Sequence, residues 1–206
     1  MRKNNIQALA ESAILIALAV VLSMFAVYEM PMGGSVMIFA MTPLVIISLR
    51  RGLGWGLGAS LTFGVIHMIL GQKNFAALGM IGFSGAGYYL AVLGVALLDY
   101  LLAFGAYGLA ALFAKPFKNK SFGYGAAALA CGALQFLCSF ISGIIIWKSF
   151  AEDMPVALYS LLYNGTYSLP NTTLTVIGTV AAMAVLDRVF PAGQGESNQA
   201  IGKRGF

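Results

Sequence analysis

Apolar residues fill this chain in blocks, each separated from the next by a short polar or basic break. The first block begins near Ile6 and the last ends near Val189, which leaves no stretch polar enough for a separate soluble domain. An apolar run of about 20 residues is the length of a helix crossing the hydrocarbon core of a bilayer. Composition agrees: 60% of the residues are hydrophobic and 9% are charged, where a soluble domain carries about 25% charged residues. The expected fold is therefore an all-α integral membrane protein.

Taken in order, residues 1–5 form a basic lead and 6–28 the first transmembrane helix. Residues 29–35 (EMPMGGS) read as a Pro/Gly loop. Residues 36–49 are a second apolar run, short for a span and interrupted by Pro43, closed by Arg50 and Arg51. The third span covers 53–70 and is rich in glycine, which suits close helix packing in lipid. The stretch 75–114 is too long for one helix. It divides into a re-entrant or interfacial piece at 75–87 and a fourth span at 88–113. The fifth span is expected at 122–147 and the sixth at 155–189, bending near Pro170. Residues 1–190 thus make one six-helix membrane domain, and the polar, Gly-rich tail 191–206 is expected to be disordered. No internal repeat is visible.

The net charge of +5 comes from clusters flanking the spans, which excludes a nucleic-acid groove and reports orientation instead. With the N-terminus inside, Arg2, Lys3, Arg50, Arg51, Lys115, Lys118, Lys120, Arg188, Lys203 and Arg204 all face inward, leaving only Lys73 and Lys148 of the 12 basic residues outside. The positive-inside rule then puts both termini in the cytoplasm. Cys131 and Cys138 sit about 10 Å apart along one helix, too far for a disulfide, and no histidine joins them as a metal site. The first apolar run carries no cleavage site of the secretory type.

Under that topology several polar and aromatic groups converge on the outer leaflet. Asp99 falls about halfway down the fourth span. Gln135, Ser139, Ser142 and Trp147 occupy the outer half of the fifth, and Tyr159, Tyr163, Asn164 and Tyr167 that of the sixth. Polar groups at membrane depth are costly unless they face a cavity or a partner helix. A carboxylate with no intramembrane cation beside it suits a cationic ligand, a proton or a neutral acid, and nearby rings suit an organic cation through cation–π attraction of about 0.5–2 kcal/mol. The spacing 159, 163, 167 places three tyrosines on one helical face. The plainer readings are an interfacial aromatic belt for Trp147 and Tyr159 and interhelical hydrogen bonding for Asn164. His67, the sole histidine, reads as a packing residue. Catalysis finds little support: GxSxG, HExxH and P-loop motifs are absent, and Ser84 in GFSGAG has only the distant His67 as a base.

Four stretches carry a family resemblance: Pro43 with SLRRG (48–52), LLDYLLAFGAYGLA (97–110), FISGIIIW (140–147) and YSLLYNGTYSLP (159–170). Through them the chain resembles the substrate-binding S components of energy-coupling factor (ECF) vitamin transporters, within these the thiamine-specific ThiT/YuaJ type. The resemblance implies the S-component fold in a prokaryotic plasma membrane, with a vitamin captured on the outer face. It also implies docking on a transmembrane coupling subunit driven by two ATPase subunits, with no cofactor and no enzymatic activity in the chain itself. It assigns Asp99 to the family's cation-contacting carboxylate, Trp147 to its ring-stacking tryptophan, and Tyr159 and Asn164 to its tyrosine and asparagine contacts. Ala13 and Ala17 in ESAILIALA match the small-residue motif that packs on the coupling subunit. Tyr163 joins the same wall.

Three positions depart from the pattern. Ser139 stands where the family has a histidine, Gln135 where it has a basic residue, and Gly34 close to a first-loop tryptophan of some members. Beside thiamine, the expected ligand therefore includes a thiamine precursor or a pyridoxine-like vitamer. A proton-coupled secondary transporter using Asp99 and an intramembrane hydrolase using Ser84 and His67 are the competing classes.

Overall fold

The computed structural model describes residues 3–31 and 33–190. Arg2, Lys203, Arg204 and the expected tail 191–206 lie outside the described residues. The chain folds as α1 (Lys3–Ser23), a hairpin of β1 (Ala26–Glu29) and β2 (Ser35–Met37), α2 (Thr42–Arg51), α3 (Leu53–Leu70), α4 (Lys73–Met80), α5 (Gly85–Ala114), α6 (Lys120–Ile145) and α7 (Val156–Val189). Among the described residues five helices, α1, α3, α5, α6 and α7, are long and apolar enough to cross a membrane.

Burial in these helices is inverted relative to a soluble protein. α7 buries Ser160, Asn164, Ser168, Thr172, Thr175 and Thr179, spaced three or four residues apart. Its leucines 158, 161, 162 and 169 face outward. α6 does the same, burying Gly132, Gln135, Ser139, Ser142 and Gly143 and exposing Leu129, Leu137, Ile141 and Ile145. A surface of leucine and isoleucine around a polar seam is stable only where hydrocarbon is the solvent.

Two expectations are corrected. The first helix ends at Ser23, not at residue 28, because its last turn closes tightly: Met24 and Phe25 amides donate to Val21 and Leu22 carbonyls at 3.1 and 3.2 Å. The segment around Val27 and Tyr28, good strand formers, then pairs antiparallel with β2: Ala26 stands opposite Met37, Tyr28 opposite Val36 and Glu29 opposite Ser35, with Val27 at a bulge. The second expected span is instead a ten-residue helix, about 15 Å long and buried from Thr42 through Ser48. Pro43 does not interrupt it. It stands in the first turn, where its missing N–H leaves nothing unsatisfied.

The 75–87 region contains α4 followed by a turn, and the expected fourth span is α5, which starts at Gly85. That helix is irregular: a π-helical stretch covers Ala96–Leu102 and a 3₁₀ stretch covers Ala106–Leu109. Irregular backbone at depth needs outside partners. Ser48 supplies one, its hydroxyl donating to the Gly108 carbonyl at 2.6 Å and accepting from the Ala111 amide at 2.9 Å. Gly108 lets this happen, since a Cβ there would lie 2.7 Å from the Leu57 backbone.

At one end of the bundle Glu11 of α1 receives Arg50 Nε at 2.8 Å and Arg51 Nε at 2.7 Å. Arg50 also reaches the Phe190 carbonyl at 3.4 Å, tying α1, α2 and the end of α7 together.

Candidate ligand-binding site

Below the hairpin, a cavity opens between α3, α5, α6 and α7. The sequence-expected residues Gly34, Asp99, Gln135, Ser139, Trp147, Tyr159, Tyr163 and Asn164 all line it. No lysine or arginine does so among the described residues.

Asp99 lies within the π-helical stretch of α5, an insertion geometry frequent at functional sites. Successive residues of an α-helix point about 100° apart, yet Asp99 and Tyr100 both reach the same cavity. Ser142 donates to Asp99 Oδ2 at 2.7 Å, and the Trp147 indole N–H donates to the same oxygen at 3.1 Å. The carboxylate is thus held by two neutral donors, with no cation among the described residues that line the cavity. Trp147 lies roughly parallel to Phe150, ring centroids 6.2 Å apart.

On α6, Gln135 donates to Ser139 at 3.1 Å, and both are buried. One turn further, Gly143 lets α7 approach, since a Cβ there would come within 3.1 Å of Asn164 Nδ2. Asn164 donates to the Ser160 carbonyl and hydroxyl at 3.0 and 3.1 Å. Its Oδ1 accepts from Tyr167 at 2.7 Å. Its bonds are therefore made within α7, and it is not bridging helices. Tyr159 and Tyr163 rings sit 5.5 Å apart.

The hairpin is fastened to this wall. Tyr163 donates to the Gly33 carbonyl at 2.9 Å. Asn171 accepts from the Met37 amide and donates to the Ser35 carbonyl, each at 2.8 Å, acting as a short extra strand edge. Gly34 has φ +81°, and a Cβ there would stand 2.6 Å from the Tyr167 ring. Thr166 lies outside this arrangement: it is exposed and donates to the Leu162 carbonyl of its own helix at 2.8 Å.

The cavity also contains Asn74, Tyr100, Phe104 and Tyr107, which the sequence did not single out, together with Asn171, from the polar stretch 147–171, and His67. His67 does pack as expected, stacked on Phe63 at 5.4 Å and edge-on to Phe104 at 5.0 Å, but it lines the cavity as well. Ser84 sits exposed at the start of α5 and does not line the cavity that His67 reaches. The serine–histidine pair is not assembled. Neither cysteine is in a disulfide, and no metal-ligating cluster occurs among the described residues.

Fold and cavity define a polytopic helical membrane protein with a partly open polar and aromatic recess toward one end. Residues 9–190 match the family described as thiamine transporter protein (Thia_YuaJ). The thiamine transporter ThiT of Bacillus subtilis (strain 168) is 33% identical over 181 residues, covering 82% of this chain and 86% of the relative. ThiT of Lacticaseibacillus paracasei is 27% identical over 169 residues, covering 77% and 78%. A solved structure of ThiT from Listeria monocytogenes shares the fold, with a TM-score of 0.64 at 21% identity and coverage of 92% of this chain and 97% of that one. The chain belongs to the thiamine transporter protein family. It is a multi-pass transport protein of the bacterial cell membrane and not an enzyme.

Proposed function

We propose that the chain captures thiamine in the cavity beneath its hairpin and serves as the substrate-binding S component of an ECF importer. One observation carries the ligand assignment: a carboxylate, Asp99, faces an aromatic recess lined by no lysine or arginine among the described residues. Thiamine offers the complement, a permanently cationic thiazolium joined to an aminopyrimidine. Ser142 and Trp147 both address Oδ2, so Oδ1 is the oxygen that meets the cationic or amino-bearing group. Trp147 stacks on a ligand ring, and Tyr159 and Asn164 fix its polar groups. Tyr163 holds the hairpin, while Gln135 and Ser139, joined by one hydrogen bond, shape the floor.

The membrane domain spans 1–190, and both its termini face the cytoplasm. The link of Glu11, Arg50, Arg51 and Phe190 at the end away from the hairpin supports that orientation. β2, the turn after it and α2 return the chain from the hairpin to the arginine end, so six crossings need only five long helices. Ala13 and Ala17 are exposed on α1, which supports docking of that face on the coupling subunit, with two ATPase subunits supplying the energy.

The test is tryptophan fluorescence of the purified chain titrated with thiamine, a thiamine precursor and pyridoxine. Trp147 lines the cavity and reports binding. Saturable quenching by thiamine is expected. Saturation by another vitamer with no thiamine signal would move the assignment to that compound.

A further inference from the structure

We propose that His67 and Asn74 form a second recognition point in this cavity, which pairs with a hydrogen-bond donor of the ligand. The inference deepens the thiamine-binding reading and rests on it. Among the described residues, a small set of buried side-chain polar atoms has no hydrogen-bond partner: the hydroxyls of Ser12, Thr42, Ser60, Ser168 and Thr179, His67 Nδ1 and Asn74 Oδ1. Only the last two belong to residues lining the cavity. The hydroxyls sit on helices, where rotation can bring them to a carbonyl one turn back. His67 and Asn74 have no such local escape.

Both side chains are fixed by their surroundings. The imidazole stacks on Phe63 and meets Phe104 edge-on, with the Tyr100 ring centroid 6.2 Å away. Tyr100 gives its hydroxyl proton to the Gly71 carbonyl at 3.3 Å, so its oxygen accepts from Asn74 Nδ2 at 2.9 Å. That chain of donors fixes the amide with its NH2 toward Tyr100, leaving Oδ1 as a pure acceptor. A buried acceptor without a partner is unfavourable, and because Asn74 lines the cavity, a donor on the bound molecule is the partner its Oδ1 gains on binding. The His67 imidazole, which lines the same cavity, offers one further hydrogen bond. Thiamine carries two candidate donors, the amino group of its pyrimidine and the hydroxyl of its side arm. Neither is needed to neutralise Asp99, so this point recognises shape and hydrogen bonding where Asp99 recognises charge.

The experiment couples protein and ligand deletions. Wild type, Asn74→Leu, His67→Phe and His67→Gln are titrated by tryptophan fluorescence with three ligands. These are thiamine, the analogue with hydrogen in place of the pyrimidine amino group, and the analogue with hydrogen in place of the hydroxyl. Asn74→Leu and His67→Phe should each weaken thiamine about tenfold or more, and His67→Gln should recover part of the loss. For one analogue the same substitutions should cost almost nothing, which names the donor. Uniform weakening across all three ligands, or no weakening, would overturn the inference while leaving thiamine binding intact. Absence of thiamine binding by wild type would sink the functional reading, and this inference with it. Size-exclusion elution monitors folding, and Asn74→Ser reads the same coupling if Asn74→Leu does not elute as a single species.

Discussion

At the scale of single residues, what Asp99 can bind depends on the groups that already hold it. Two neutral donors on Oδ2 orient the Asp99 carboxyl group and bring no positive charge to it, so under the proposed function that charge comes from the ligand. Gly34 has an equally specific role, because its left-handed backbone and the Tyr167 ring leave no space for a side chain. Gly34→Ala should cost about 1–3 kcal/mol of strain and weaken thiamine binding by loosening the hairpin, measured as a lower Tm and a raised Kd. Binding and Tm equal to wild type would mean that the turn adapts freely. The tyrosine stripe and Asn164 were legible in the sequence because their spacing places them on one face of a long helix. His67 was not legible as a cavity residue: its helix is apolar on all sides, and only the packed neighbours decide which face looks inward. Tyr100 was hidden for a related reason, since regular helix geometry would have turned it away from Asp99.

At the scale of elements, the hairpin covers the cavity and the π-helical stretch within α5 carries Asp99 and Tyr100 into it. Asn171 replaces a missing strand neighbour by bonding both Ser35 and Met37. Asn171→Leu leaves those two backbone groups unpaired, at about 1–3 kcal/mol each if they stay buried. Hydrogen exchange at residues 35–37 should therefore accelerate, while α3 remains protected. Unchanged exchange there would show that Asn171 does not hold the hairpin. The long helices were readable from length and hydropathy, and α3 falls at 53–70 as expected. Strands of four and three residues are too short to show an alternating pattern within an apolar chain. Pro43 misled for a different reason, because a proline in a first turn and one that breaks a span look alike until the helix start is known.

At the scale of the whole molecule, polar residues turn inward and aliphatic ones outward, so the bundle holds its cavity inside a lipid-facing shell. Under the proposed partnership the exposed Ala13–Ala17 face of α1 and the cavity do separate jobs. Ala13→Leu combined with Ala17→Leu should abolish co-purification with the coupling subunit and ATP-dependent uptake, yet leave thiamine affinity as in wild type. Retained uptake would remove that face from the docking surface. The central claim is that the cavity holds a cation against Asp99. It is tested most directly by titrating wild type and Asp99→Asn with thiamine and with an uncharged analogue of the same shape, in which a neutral ring replaces the thiazolium. Asp99→Asn should weaken thiamine by about 30-fold or more, roughly 2 kcal/mol, and leave the neutral analogue nearly unaffected. Equal losses for both ligands, or none for thiamine, would contradict that claim.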